Sequence, residues 1–352
     1  MSSEGTRGRP GKSGRVTIHT VAELAGVSVA TVSRVLNDSD RVKRSTRERV
    51  LKVLRESGFQ HPSRLARALR TRRTGLIGLL VADILNPYYA VLARETEDAA
   101  KENGMTMLLS NDDGDDAVGV ERLELFGSLN VDGVFVATWV GETPKRQTMR
   151  RLRENGVCVM CVNDMIGESE FDCVAVDYHT AAREAVRHLV GLGHRRIGFI
   201  GLAAGDNRAR GYMAEMAACG LPTHMLTLRS VVSPRRLKDL LPREFPQFLA
   251  GNGLTAIITH NDMYALEAIR VARSIGYQVP QDLSVIGFDN VPQGETSAPP
   301  LSTFAPPYRE MVRASIEVVR ARVEREPGSA PVKKVLPAAF VSRESDAPAA
   351  AP

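Results

Sequence analysis

Thr20-Val-Ala-Glu-Leu-Ala-Gly-Val-Ser-Val-Ala-Thr-Val-Ser-Arg-Val-Leu-Asn37 reads as two short helices joined by a glycine turn. Thr20 offers a side-chain oxygen as N-cap for Val21–Ala25, Gly26 supplies the turn, and Ser28 caps Val29–Leu36, with Asn37 as C-cap. Ala22 and Ala25 are small enough to let the helices approach, so Val21, Leu24, Val27, Val32 and Leu36 form a shared core. Ser45-Thr-Arg-Glu48 has the spacing of a capping box and starts a third helix. Val50, Leu51 and Leu54 close the core from that helix, and Gly58 ends it. Helix, glycine turn, helix is the helix-turn-helix arrangement.

The charge distribution says what such a head meets. Residues 1–74 hold 17 Lys/Arg against 6 Asp/Glu, and the remainder holds 29 against 35, so a head of +11 precedes a body of −6 in a 352-residue chain. That asymmetry fits a polyanion. A recognition helix turns its first residues to base edges in the major groove. Val29 and Ala30 make apolar contacts there, and Arg34 can donate two hydrogen bonds to guanine. Thr31 and Ser33, with Thr20 and Ser28 at the helix starts, suit phosphates.

Pro62-Ser-Arg-Leu-Ala-Arg-Ala-Leu-Arg70 is short, basic and helix-prone, and a helix of this length orders only against something else. Leu69 is the candidate wedge between base steps of the minor groove, with Arg64, Arg67 and Arg70 on phosphates. Residues 1–15, rich in Gly, Ser and Arg, are expected to be a disordered basic tail.

From Leu76 onward the text changes character. The apolar run Leu76–Val81 suits a strand covered on both faces. Helix Tyr89–Asn103, strands Met105–Leu109, Gly133–Ala137 and Val157–Val162, helix His179–Leu192, strand Ile197–Ile200, helix Ala209–Ala218, strand Ala256–Thr259, helix Tyr264–Ser274 and strand Val285–Phe288 follow. Such alternation builds parallel sheets by right-handed crossovers, and with this many units it implies two doubly wound sheets. The Pro- and Arg-rich stretch 220–250 has no clear period.

Other classes are excluded by composition. The chain is 43% hydrophobic and 25% charged. The run ending at Ala82 is far short of the roughly 18 residues of a membrane span. The start lacks the apolar core of a secretory signal. Four cysteines make no disulfide framework, which points to a reducing cytoplasm. Cys158-Val-Met-Cys161 lies on a strand, where residues three apart face opposite ways, so these are buried thiols. Gly191-Leu-Gly193 is a helix end rather than a dinucleotide fingerprint. The seven histidines do not cluster, and no metal site, cofactor or nucleophilic triad is expected.

Val16-Thr-Ile-His-Thr-Val-Ala-Glu-Leu-Ala-Gly-Val-Ser28, Ala30-Thr-Val-Ser-Arg-Val-Leu-Asn37, Thr46-Arg-Glu-Arg-Val50 and Leu65-Ala-Arg-Ala-Leu-Arg70 resemble the start of LacI/GalR-family transcriptional regulators. The body resembles them in Ile77-Gly-Leu-Leu80, Asn86-Pro-Tyr-Tyr-Ala90, Val131-Asp-Gly133, Gly193-His-Arg-Arg-Ile-Gly198, Asn261-Asp262, Val279–Asn290, Leu336-Pro337 and Arg343-Glu-Ser345. The resemblance runs from about Val16 to Ser345. It implies a small all-α helix-turn-helix head (16–60), a hinge helix and linker (61–74), and an α/β two-lobed body of the periplasmic-binding-protein type (75–342). The first lobe would comprise about 75–176 and 305–330, the second about 177–304 and 331–342, with 343–352 a tail.

It further implies a homodimer or tetramer that binds a palindromic operator in double-stranded DNA, most simply as a repressor. A small effector of carbohydrate type between the lobes would control that grip. Carried over by residue, Val29, Ala30 and Arg34 read bases and Leu69 is the minor-groove leucine. Asp83, Tyr88, Tyr89, Arg208, Asn261 and Asp289, with Thr138, Trp139 and Asp164 at first-lobe strand ends, bind the effector. Strand carboxyl ends are where open α/β sheets hold ligands. Three departures stand out: the stretch from Phe59 to Leu69 is one residue longer than the family pattern, Ala305 and Pro306 replace a polar pair, and 229–243 replaces an acidic or aromatic stretch. The alternatives are a small-molecule-binding protein without specific DNA binding, and an α/β enzyme, for which no nucleophile or acid–base pair is found. Arg34→Ala should weaken specific DNA binding by about 1–3 kcal/mol and relax one base position, as read by gel shift and footprinting.

Overall fold

The computed structural model describes residues 16–36, 42–57, 73–138, 143–163, 170–202, 206–228, 234–324 and 330–350. The expected tail 1–15, the hinge helix with Arg64, Arg67, Leu69 and Arg70, and Trp139 and Asp164 lie outside them. The chain divides into two compact units, Met1–Thr74 and Gly75–Pro352.

The first unit contains α1 (Ile18–Ala25), α2 (Val29–Leu36) and α3 (Arg44–Glu56). Thr20 is not the N-cap. Thr17 is, and the two close a capping box in which the Thr17 hydroxyl accepts from the Thr20 amide at 3.4 Å and the Thr20 hydroxyl from the Thr17 amide at 3.4 Å. Two hydroxyls three residues apart suffice to start the helix a turn early. Gly26 ends α1 in the left-handed region at φ 62°. The Ser45–Glu48 box does not form: α3 begins behind Lys43 without a side-chain cap, and Glu48 pairs with Arg44 at 3.0 Å.

Val21, Ala22, Ala25, Val32, Val35 and Val50 make the core of this unit. Leu24 and Leu51 were expected there, yet Leu24 is 63% and Leu51 37% exposed. At about 100° per residue, Leu24 points roughly a quarter turn away from the Val21, Ala22 and Ala25 face. Val27 and Leu54 are partly buried against the core. The Leu36 side chain is outside the described residues.

The second unit runs β1 (Leu76–Val81), α4 (Pro87–Glu102), β2 (Thr106–Asn111), α5 (Asp116–Ser128), β3 (Gly133–Ala137), α6 (Pro144–Glu154), β4 (Cys158–Asn163) and β5 (Asp172–Val176). It continues with α7 (Tyr178–Gly191), β6 (Ile197–Leu202), α8 (Asn207–Ala218), β7 (His224–Leu228), α9 (Pro234–Asn252), β8 (Ala256–Thr259) and α10 (Asp262–Ser274). The last elements are β9 (Ser284–Phe288), α11 (Pro292–Glu295), β10 (Ser302–Ala305), α12 (Tyr308–Glu324), β11 (Lys333–Leu336) and β12 (Ala339–Val341).

Two six-stranded sheets result, in the orders β11-β5-β4-β3-β1-β2 and β12-β10-β9-β8-β6-β7. Every described pairing is parallel except β10 with β12. The strands are apolar on both faces because helices cover both. In β1, Ile77, Leu79 and Val81 enter one core while Leu80 enters another. A Cβ at Gly78 would lie 2.8 Å from the Phe126 ring, so only glycine lets α5 seat on β1. Cys158 and Cys161 fall in these two different cores, as opposite faces require.

The chain passes between the sheets at Val176–Tyr178, Ala305–Tyr308 and Leu336–Ala339. The last passage corrects the lobe boundary: β11 pairs with β5, so 333–336 belong to the first lobe. Nor is the C-terminal stretch a free tail as far as Ala350. The Ser345 hydroxyl donates to the Val285 carbonyl at 2.6 Å, Asp346 meets His188 at 2.6 Å and Ala349 N donates to Leu192 O at 2.8 Å. Small and polar side chains there replace apolar burial with strand-like hydrogen bonds, which composition does not reveal.

The stretch 220–250 holds β7 and α9, although Pro242 and Pro246 lie within the helix. Leu237, Leu241, Phe245 and Leu249, four apart, form its buried stripe, and that burial outweighs the two lost backbone bonds. No helix among the described residues is long and apolar enough to cross a membrane.

Helices α7 and α8 touch at Gly211, where a Cβ would run into the His179 carbonyl and lie 3.0 Å from Ala182 Cβ. Gly211→Ala should therefore lower stability by about 1–3 kcal/mol in urea unfolding, despite alanine's better helix propensity.

Candidate functional site

In the head, Ala30 and Arg34 are exposed and four residues apart on one face of α2, with Val29 and Ser33 half-buried beside them. The Ser28 hydroxyl accepts from Thr31 N at 3.2 Å and meets the Thr31 hydroxyl at 2.9 Å. These two side chains thus cap the helix start, and Thr20 serves the capping box of α1. The outward pair is left to Arg34 and Ala30.

In the body, the second site forms where the passages between the sheets meet the carboxyl ends of the strands. Asp206 caps α8 by accepting from Arg208 N at 3.2 Å, which throws the Arg208 side chain back across the strand ends. The Arg208 guanidinium is 3% exposed. It stacks 3.4 Å above the Tyr178 ring and lies 5.3 Å from that of Phe288. It stands 3.6 Å from Asp206 and 3.8 Å from Asp289, ion-pair distances longer than a direct hydrogen bond. Tyr178 also donates to the Asp289 carboxylate at 3.4 Å.

Asp289 and Asn290 both adopt left-handed backbone, φ 103° and 53°, a conformation that needs outside support. The Tyr308 hydroxyl donates to the Asp289 carbonyl at 2.8 Å, and Arg343 donates to Asn290 Oδ1 at 2.7 Å. Fully buried Asp262 accepts from Val291 N at 2.9 Å and from the Thr303 hydroxyl at 2.6 Å. Burial pushes the Asp262 carboxyl up to about 7 against the pull of those donors and of Arg343.

From the first lobe, Tyr88 and Tyr89 enter at the start of α4, their rings 5.0 Å apart, and Tyr88 lies 5.5 Å from the Tyr308 ring. Burial, then Tyr178 and Asp289, hold the Tyr88 phenol well above its ordinary range. Burial, then Asp289 and Asp112, raise that of Tyr89. Both hydroxyls therefore stay protonated donors. Among the described residues the buried Tyr88 hydroxyl has no hydrogen-bond partner.

The structure thus brings Tyr88, Tyr89, Arg208 and Asp289 together, as expected. Asp83 instead closes the turn before α4 by accepting from Leu85 N at 2.9 Å. Asn261 caps α10 by accepting from Tyr264 N at 3.1 Å. Thr138 donates to buried Asp112 at 3.2 Å, which is paired with Lys145 at 2.7 Å. Tyr178, Asp206, His260, Phe288 and Tyr308 escaped the sequence reading. Each follows or ends a strand: the strand-end rule reaches His260 and Phe288 from the strands Ala256–Thr259 and Val285–Phe288, whereas Tyr178 and Tyr308 follow β5 and β10, which the sequence reading does not place.

A helix-turn-helix unit together with a two-lobed α/β body cleft between parallel sheets defines a ligand-binding regulator rather than a catalyst. Residues 17–63 match the bacterial regulatory proteins of the lacI family, and 186–345 match the periplasmic binding protein-like domain. The HTH-type transcriptional regulator DegA of Bacillus subtilis (strain 168) is 34% identical over 338 residues, 95% of this chain and 99% of DegA. CelR of Thermobifida fusca is 33% identical over 354 residues, 94% and 98% of the two chains. Among solved structures, a CelR–cellobiose complex matches with TM-score 0.67 and 27% identity over 94% of this chain and 99% of its own. A Lac repressor dimer bound to operator and the anti-inducer ONPF matches in fold with TM-score 0.80 at 22% identity, covering 95% and 100%. The chain belongs to the LacI family and is a DNA-binding transcriptional regulator, not an enzyme.

The raised Asp262 carboxyl has a consequence for stability. An unfolded aspartate titrates near 3.9. Between about pH 4 and 7 the folded form holds a proton that the unfolded form lacks. The contribution of this group is therefore complete below about pH 4 and is lost as pH rises through about 7. Asp262→Asn should flatten that part of the pH profile, read by urea unfolding at pH 5 and 7.5.

Proposed function

We propose that this regulator is a repressor that grips an inverted-repeat operator as a dimer, in the bacterial cytoplasm, and that a sugar or sugar derivative bound between its lobes alters that grip. The observation that carries the effector reading is the pairing of Arg208 with Asp289 beside the buried, unpartnered hydroxyl of Tyr88. A guanidinium and a carboxylate side by side suit the donors and acceptors of vicinal hydroxyls. The rings of Tyr89 and Tyr308 suit the apolar face of a pyranose. The CelR structure with cellobiose supports the same ligand class.

On the DNA side, Arg34, Ala30, Val29 and Ser33 supply base and phosphate contacts, and Ser28, Thr31 and Thr20 fix the helices that present them. Arg64, Arg67, Leu69 and Arg70 act at the minor groove, and Asp83, Thr138, Trp139, Asp164 and Asn261 add to effector binding. Effector control requires that the sugar bind one lobe arrangement better than the other.

The test is a thermal-shift screen with cellobiose, D-galactose and D-ribose, followed by gel shifts on inverted-repeat fragments with and without each hit. A sugar at about 100 times its Kd adds about 2.7 kcal/mol of stability. Arg208→Ala and Asp289→Asn should abolish the shift and the sugar's effect on DNA while sugar-free operator binding persists. A protein that stays monomeric and retards all DNA alike would overturn the proposal.

A further inference from the structure

The polar stretch at the end of the chain is tied to the cleft. Arg343 to Ala349 run across the second sheet as a strap. Glu344 N donates to Pro300 O at 3.0 Å, Val285 N to Ser345 O at 2.7 Å, and Ala347 N to Ser284 Oγ at 3.0 Å. Ser345 is fully buried, and its hydroxyl accepts from Ser302 N at 2.8 Å while donating to Val285 O at 2.6 Å. These bonds hold the strap against β9 and β10, and so fix where Arg343 stands.

Arg343 reaches from the strap to the turn that follows β9. Its backbone N donates to Ser302 Oγ at 2.8 Å, one guanidinium nitrogen to Leu301 O at 2.7 Å, and the other to Asn290 Oδ1 at 2.7 Å. The planar fork holds both acceptors in fixed relation. Asn290 is the second of two successive left-handed residues, a conformation that persists outside glycine only where the surroundings enforce it. The first is Asp289, whose carboxylate accepts from Tyr178 at 3.4 Å and faces Arg208.

We propose that Arg343 is a positioning residue of the effector cleft: by holding the Asn290 side chain it keeps the Asp289–Asn290 turn left-handed, and so aims the Asp289 carboxylate without touching the effector itself.

The left-handed region crowds the Cβ of an L-residue against its own backbone, and asparagine tolerates it only when its amide is bonded nearby. The neighbours are held through their backbone. Asp289 N donates to Phe304 O at 2.9 Å, the Tyr308 hydroxyl to Asp289 O at 2.8 Å, and Val291 N to Asp262 at 2.9 Å. Asn290 N has a longer bond, 3.3 Å to Thr303 Oγ1, so the fork of Arg343 supplies the short bond at this residue. Asp289 and Asn290 share one peptide plane, and a rotation of that plane swings the Asp289 carboxylate. Glycine takes the left-handed region without strain. N290G should therefore make Arg343 dispensable, which it would not do if Arg343 served bulk stability alone.

The consequence for affinity rests on the effector reading above; the support of the turn does not. The test uses the full-length protein with R343Q, N290G and R343Q/N290G, each shown to be folded by thermal melting. R343K, which keeps the charge but not the planar fork, takes the place of R343Q if that variant does not fold. Hydrogen exchange without ligand, read by mass spectrometry, should be about tenfold faster in R343Q for peptides covering Asp289–Val291 and unchanged for those of α9. Calorimetric titration follows with whichever of cellobiose, D-galactose or D-ribose raises the melting temperature. R343Q should bind that sugar about tenfold more weakly, and both N290G and R343Q/N290G should stay within about threefold of the wild type. Sugar-free retardation of the inverted-repeat fragments should be the same in all four proteins.

Unchanged exchange at Asp289–Val291 in folded R343Q overturns the proposal, as does a double variant that binds no tighter than R343Q alone. Faster exchange in R343Q with none of the sugars bound by the wild type upholds the support of the turn and instead overturns the effector reading.

Discussion

The body of this regulator depends on one buried cation. The Arg208 guanidinium, nearly sealed from solvent, must be paired, because an isolated buried charge is strongly unfavourable. It is met from three parts of the chain: by Asp206 at the foot of its own helix, by Phe288 and Asp289 at the end of β9, and by the ring of Tyr178 at the start of α7. Removing one partner of such a buried pair costs about 3–5 kcal/mol, mostly by stranding the other. The arrangement also needs Asp289 in left-handed backbone, held directly by Tyr308 and, through the next two residues Asn290 and Val291, by Arg343 and Asp262. Much of the second lobe can be read as the support for that one charge.

The same cation stands where the lobes join. Tyr178 and Tyr308 each begin a helix as the chain passes between the sheets, and both bond to Asp289. Tyr88 brings the first lobe to the same point. A ligand that engages Arg208, Asp289 and Tyr88 therefore touches both lobes and their connections at once. That is what differential affinity for two lobe angles needs, since a ligand indifferent to the angle shifts no equilibrium.

Several elements follow from local rules alone. Ser28 caps α2, Gly26 turns left-handed, Gly133–Ala137 and Ala256–Thr259 are strands, and Cys158 and Cys161 face opposite cores. Other elements are set where two local signals compete or none exists. Thr20 is a plausible N-cap for α1, but Thr17 caps it and Thr20 closes the box from inside the helix. Leu24 has a core residue's chemistry but a surface residue's angle. In α9, prolines argue against a helix that a buried stripe of Leu237, Leu241, Phe245 and Leu249 nonetheless holds. Of the expected cleft residues, Arg208, Asp289, Tyr88 and Tyr89 converge, whereas Asn261 and Asp83 are taken up by a cap and a turn.

Order along the chain, by itself, determined the division into a basic helical head and an alternating α/β body, because charge, caps and apolar period are properties of neighbouring residues. Folding in three dimensions decided which strand joined which sheet, that Lys333–Leu336 returns to the first lobe, and that Arg343–Ala349 is strapped across the second. It also decided that Asp206, Arg208, His260 and Asp289 share one buried network. Asp206 and Asp289 are 83 residues apart, and only the folding of the strand ends onto one another brings these groups together.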